Sequence, residues 1–389
     1  MSTGNRSTIV ILFPFPWFPQ TPTVMGLYNI LKKTSDVKIL TLYNEQRGSI
    51  LDNPDFIYLN RYKNTFRKFL AEKRSYLTYQ LLKIRRKIFP AKSRRYKTLN
   101  TDWLLLNRAM DNELKKWPGC RIIAVDTGPA LFCQLTKRSY HFLSTELQTE
   151  RIEETKLLNS KFILSIIIQT KRRLALLAIP GQDQIKNVFF IQNAPDFKPP
   201  VKRSRPSGKL IFGGAIWEGF GFQYCLELIR KYKQFSLTLK GTAQCDIEHY
   251  KKEYAAEITA GRLVIDNSYS GADEFNDLLL EHSIGFSFYD LHHPEIRKSR
   301  EHYETAPSGK MFTYFGLGIP VIGSAGLSEI SEFEAGVTLR DYSPDSLFAA
   351  VEKILADYSR YSDNALKAAA HFSFTEMARP FADFIQKQS

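Results

Sequence analysis

The sequence predicts two α/β domains in tandem, each a doubly wound, mostly parallel sheet. Three observations predict it. Short, continuous apolar runs recur along the 389 residues, and strands covered on both faces of a parallel sheet need apolar side chains on both. The intervals between runs have room for helices, as βαβ units require. A stretch rich in proline and basic residues, "APDFKPPVKRSRPSGK" (194–209), breaks the alternation near the middle and reads as an interdomain linker. A chain of this length also exceeds one typical core.

In order, the first-domain runs are "TIVIL" (8–12), "VKILTL" (37–42), "RIIAVD" (121–126), "FILSIIIQ" (162–169) and "VFFIQN" (188–193). A further strand is expected in "SYHFLSTELQTERIEE" (139–154). After the linker come "KLIFGG" (209–214), "LTLKG" (237–241), "RLVID" (262–266), "IGFSFY" (284–289), "PVIGS" (320–324) and "GVTL" (336–339). The expected boundaries are 1–198 and 199–370, with a final helix over 371–389 that packs on its own domain or returns to the first. In such sheets ligands bind outside the carboxyl ends of the strands, and the binding site is expected in a cleft between the domains.

Composition excludes several classes. Cys120, Cys133, Cys225 and Cys245 show no CxxC and no metal spacing, so a disulfide scaffold and a zinc site are not expected. His292 and His293 are adjacent on a loop and lack a third ligand at zinc spacing. The apolar run "FILSIII" (162–168) is too short to cross a bilayer, and the N-terminus lacks the pattern of a signal peptide. The expected location is cytoplasmic, soluble or peripheral to a membrane. Net charge is +14, and residues 61–97 hold fourteen Lys/Arg against one acid, Glu72. That basic insertion, with Lys83, Arg85, Arg86 and Lys87 at its centre, reads either as a solvated helical face or as a surface for anionic lipid or an anionic acceptor. No nucleic-acid motif accompanies it, so nucleic acid is not the expected partner.

The most informative stretch is "ETAPSGKMFTYFGLGIPVIGSAG" (304–326). A helix over about 310–315 would begin at Ser308–Gly309–Lys310, where free backbone N–H groups favour phosphate. Gly309 permits close approach of a ligand, and Lys310 adds a cation. Gly318 and Pro320 would stop the helix. Ordinary capping by Ser308, with Lys310 in solvent, explains the same residues equally well.

This stretch resembles the C-terminal signature of retaining glycosyltransferases of the GT-B fold, the large family-four-like group. Other segments agree in order: "IQTKRRLALL" (168–177), "VFFIQNAPDF" (188–197), "LIFGGAIWEGFGFQYCLELI" (210–229), "LTLKGTA" (237–243) and "GADEFNDLLLEHSIGFSFY" (271–289). The match covers about residues 160–375. The resemblance implies two Rossmann-like domains facing each other across a cleft, a nucleotide-diphosphate sugar on the second, and a glycan or lipid-linked acceptor on the first. It implies transfer with retention, without a metal or cofactor, in surface polysaccharide synthesis. Gly213, Gly214, Lys240, Glu304, Ser308, Gly309, Lys310 and Thr313 are the implied donor residues.

In the first domain, Glu146 is the candidate for orienting or deprotonating the acceptor hydroxyl, with His141 as runner-up. Asp126 stands at the carboxyl edge of its strand, as a ligand contact or a helix cap. Trp17 and Phe18 could stack on a sugar or touch lipid, and Thr21 with Pro22 could start a helix. The chain departs from the family at Thr313, where an acid usually grips the ribose, and at Glu218, where a lysine usually stands. The segment 290–303 is expected to be a flexible loop beside the donor. Two other readings fit: a GT-B nucleotide-sugar epimerase, and a non-catalytic polyanion-binding protein.

Overall fold

The computed structural model describes residues 7–15, 21–42, 53–59, 101–145, 149–199, 205–268 and 271–388, without the side chains of 101–105, 149–151 and 272. The basic segment 61–97, with Lys83, Arg85, Arg86 and Lys87, lies outside the described residues, as do Trp17, Phe18 and Glu146. Two compact units are present. The first is Met1–Ile168, Leu174–Phe190 and Ala378–Ser389; the second is Gln169–Arg173 and Ile191–Met377.

The first unit is built on seven strands: β1 (Thr8–Leu12), β2 (Asp36–Thr41), β3 (Phe56–Tyr58), β4 (Arg121–Val125), β5 (Tyr140–Leu143), β6 (Ile163–Ile168) and β7 (Val188–Phe190). All neighbours pair in parallel, in the order β3-β2-β1-β4-β5-β6-β7. Ile9, Val10, Ile11 and Leu12 are all fully buried, so β1 is covered on both faces, and each side chain contributes about 1.5–3 kcal/mol. Helices α1 (Pro22–Leu31), α2 (Thr101–Leu114), α3 (Thr127–Leu135), α4 (Thr149–Thr155) and α5 (Lys171–Leu176) connect the strands. Thr21 occupies the N-cap of α1 with Pro22 in its first turn, but the threonine side chain makes no capping hydrogen bond.

The second unit repeats the plan with six parallel strands: β8 (Lys209–Gly213), β9 (Ser236–Lys240), β10 (Leu263–Asp266), β11 (Ile284–Ser287), β12 (Val321–Ser324) and β13 (Gly336–Leu339). Their order is β10-β9-β8-β11-β12-β13. In both units the strand order reverses beside the first strand, which creates a switch point where a crevice opens at the carboxyl edge. The helices that matter to the site are α6 (Phe222–Lys231), α7 (Pro294–Lys298), α8 (Arg300–Thr305), α9 (Gly309–Gly316) and α10 (Ser328–Glu332). The segment 290–303 is therefore not a loop as expected. Pro294 opens α7, with His293 capping it through Nδ1 to the amide of Glu295, and α8 follows directly.

The last helix, α11 (Phe374–Lys387), starts among second-unit residues and continues, from Ala378, among those of the first. There Phe381 and Phe384 pack on Phe189, both at 5.3 Å between ring centroids. Among the described residues, no helix is long and apolar enough to cross a membrane.

Candidate functional site

The second unit's switch point lies between β8 and β11, and the glycines and serines of the sequence signature converge there. Ser287, the last residue of β11, donates its hydroxyl to Ser308 Oγ at 2.8 Å. Both side chains are buried, so the bond fixes the start of α9 to the sheet edge. Ser308 holds the N-cap position of α9, yet no side chain caps that helix. Its first-turn N–H groups therefore keep the donor capacity that helix N-termini offer to anions. A Cβ on Gly309 would stand 3.3 Å from Asn193 Nδ2, so a larger residue would crowd the entry. At the other end, Gly318 turns left-handed at φ 68°, its N–H bonds to Phe315 and that of Ile319 to Tyr314. The expected glycine stop is thus in place.

Lys310 is the unusual member. Its ammonium group is shielded from solvent and has no hydrogen-bond partner among the described residues. It lies over the rings of Phe212 and Phe220, 4.1 and 4.9 Å from their centroids. Such faces attract a cation by about 0.5–2 kcal/mol. Burial works the other way and lowers its pKa to about 7, because a charge without water or a counter-ion is costly. Lys310 is therefore not the solvent-facing lysine of the capping explanation. Its Cε would be 3.9 Å from a Cβ on Gly214, the residue after β8.

Gly214 itself is left-handed at φ 106°, and its amide bonds to the carbonyl of Lys240. Gly241, next along, runs so close to Gly214 that a Cβ on it would sit 1.7 Å from the Gly214 carbonyl. Two glycine-containing loops thus cross at backbone contact beside Lys310. Gly213 serves packing: its amide donates a hydrogen bond to the Tyr314 hydroxyl at 2.7 Å.

Other expected donor residues are engaged elsewhere. The Lys240 ammonium is buried and bonded to Asp266 at 2.6 Å and Ser268 at 3.0 Å. The Lys240 bond, followed by Ser268, holds Asp266 down at about 2. A free cation at Lys240 is thus corrected to an internal ion pair. Thr313 donates its hydroxyl to the Gly309 carbonyl of its own helix at 3.2 Å. Glu304 accepts from Arg300, four residues back on α8, at 2.7 Å. Glu218 accepts a long bond from the Tyr250 hydroxyl, 3.4 Å.

In the first unit, Asp126 follows β4 at the switch point, with φ 59° and ψ 179°, a backbone region that costs a non-glycine residue about 1–3 kcal/mol. Its carboxylate accepts from the amide and hydroxyl of Thr145, at 2.8 and 2.7 Å. It holds the N-cap position of α3 without capping it through its side chain. His141 is a correction. It is fully buried within β5, bonded through Nδ1 to Ser165 at 2.9 Å and enclosed by Phe381 and Phe384. Burial, helped by Arg121, lowers its pKa to about 4. It is a neutral core side chain, out of reach of a substrate.

Sequence reading missed Phe212, Phe220, Tyr314 and Ser287. Spacing could have found Tyr314, since it shares a helical face with Lys310 four residues earlier. Nothing local signals the others, which come from separate strands and loops.

A pair of six- and seven-stranded parallel Rossmann-like units with this crossing order is the GT-B fold of glycosyltransferases. Solved structures agree. Trehalose-6-phosphate synthase from E. coli bound with UDP-2-fluoro glucose superposes with a TM-score of 0.66 at 11% identity, covering 98% of this chain and 99% of that one. HepE of Anabaena in complex with UDP gives 0.66 at 10%, over 98% and 100%. Sucrose-phosphate synthase from Thermosynechococcus elongatus gives 0.65 at 14%, over 98% and 99%. No protein-family model matches the chain, and no curated protein matches it in sequence.

Proposed function

We propose that this protein is a glycosyltransferase that takes a sugar from a nucleotide-diphosphate donor held by its second unit. The observation that carries the reading is Lys310: a buried ammonium group without a hydrogen-bond partner among the described residues, at an uncapped helix start and a glycine crossing. Negative charge grows on the leaving diphosphate as the glycosidic bond breaks. Preorganised N–H donors and a cation at that place lower the barrier. We further propose retention of configuration, independence of a metal, and an acceptor that is a glycan or lipid-linked saccharide of surface polysaccharide synthesis. The fold supports the nucleotide-diphosphate donor through its neighbours, of which trehalose-6-phosphate synthase is bound with UDP-2-fluoro glucose and HepE is in complex with UDP. The basic stretch 61–97 supports an anionic membrane surface or acceptor.

A panel of UDP-, GDP-, dTDP- and CMP-sugars tests the reading: at least one should raise the melting temperature. No shift with any member rejects a donor site. One observation favours a rival, non-catalytic polyanion binder: Lys240, Thr313 and Glu304 are all bonded within the protein. Donor binding with no turnover on any acceptor would favour that rival. Charge reversal across 83–87 should weaken binding to anionic liposomes, and equal binding by variant and wild type removes the membrane from the proposal.

A further inference from the structure

We infer that Lys310 meets an incoming diphosphate as a neutral amine and takes up a proton as the ligand seats, so that the site binds a dianion and a proton together. The inference deepens the donor reading and rests on it. Its geometric basis is the enclosure of the Lys310 nitrogen. Phe212 and Phe220 face it, it has no hydrogen-bond partner among the described residues, and no carboxylate acts on it. The titratable groups close by are Cys225 on α6 and Tyr314 on its own helix. Burial pushes the ionisation of both upward, so neither supplies a counter-charge near neutral pH. Lys310 also stands in the first turn of α9, where the helix dipole opposes a cation. Burial is the dominant cause that lowers its pKa to about 7.

A diphosphate reverses each of these terms. Its charge favours the ammonium form, and its oxygens accept the N–H bonds that the rings cannot. The proton comes from solvent and returns there when the nucleotide leaves. No covalent bond of the ligand is made or broken in the step. The charge that steadies the leaving group is thus created by the ligand, and the protein alone does not have to hold an isolated cation.

Calorimetry with UDP-glucose tests this, because its diphosphate does not titrate between pH 6 and 8. Titrations are run on the full chain in two buffers of different ionisation enthalpy. The expected result is uptake of nearly one proton per ligand at pH 8 and about half at pH 7, with affinity about tenfold weaker at pH 8 than at pH 6. Lys310→Arg, which stays charged, should bind without proton uptake. Lys310→Gln, which cannot take a proton, should bind weakly and equally at every pH. Identical heats in both buffers, with binding intact, overturn the inference and leave the donor reading standing. Proton uptake that persists in Lys310→Arg or Lys310→Gln also overturns it, by assigning the proton elsewhere. Failure of UDP-glucose and of every other nucleotide sugar in the panel to bind overturns both.

Discussion

His141 in the first unit and Lys310 in the second are both basic, and each keeps a buried nitrogen without a hydrogen-bond partner among the described residues. They differ in everything around that nitrogen. His141 has Ser165 on its other nitrogen and two phenylalanine rings enclosing it. A neutral imidazole is content there, since the Ser165 hydroxyl can donate to Nδ1 or accept from it and no charge is left without a partner. Lys310 has only one nitrogen, and it is unmet. It stands at a helix start beside glycines that cannot obstruct a ligand. Burial alone therefore does not mark function. What sets Lys310 apart is an unmet donor at a sheet's switch point.

The comparison can be broken most sharply at the glycine crossing. Gly241→Ala places a Cβ inside the Gly214 carbonyl, at a φ of 149° that side chains disfavour. It should destabilise the second unit by several kcal/mol, more than the usual cost of about 1 kcal/mol for a point change. Thermal unfolding checks this, and a near-native melting temperature would mean that the loops part easily.

Next comes Lys310→Met. The variant should melt at or above the wild-type temperature, because an apolar chain replaces an unpaired buried amine. It should also lose any donor-induced shift. The sign of its pH dependence follows from a folded-state value of about 7 against 10.5 for a free lysine. The wild type carries its full penalty below pH 7 and sheds it as pH rises toward 10.5. The variant's advantage should shrink over that window, and an advantage constant with pH would show that Lys310 is charged throughout.

A smaller effect is expected at His141. Its folded-state value of about 4 lies below the 6.5 of a free histidine, so the wild type loses stability as pH falls through that range. The loss at pH 5 is about 2 kcal/mol. His141→Gln should flatten this slope and leave donor binding intact; weakened donor binding would return His141 to the site. The smallest effect is expected for Glu304→Gln. Its bridge to Arg300 is largely exposed and is worth about 0.5 kcal/mol. Turnover should stay within about twofold, and a large loss would put that carboxylate on the sugar.

The strands were legible because their chemistry is local. "TIVIL" and "GVTL" coincide with β1 and β13, and the other runs match to within a few residues, since most strand positions are apolar and buried. The short strand β3 was not legible: Phe56–Tyr58 offers too few residues for a periodic signal. The helix start at Gly309 and its glycine stop were also readable. What the sequence hides is pairing across distance. Lys240 finds Asp266 twenty-six positions away, and Lys310 on α9 finds Phe212 on β8. His141 looked available because a strand end was assumed. "YHFL" is buried at all four positions, and the helix that encloses it begins more than two hundred residues later.

That last separation has a consequence during synthesis. Phe381 and Phe384 complete the packing around His141 and Phe189. A ribosome reaches them roughly 190 residues after β7, on the order of 10–40 s later. Through that interval the first unit waits with an aromatic patch uncovered while the second unit is still being made. A nascent chain stalled before α11 should therefore recruit chaperones that bind exposed apolar surface, and release them once that helix emerges.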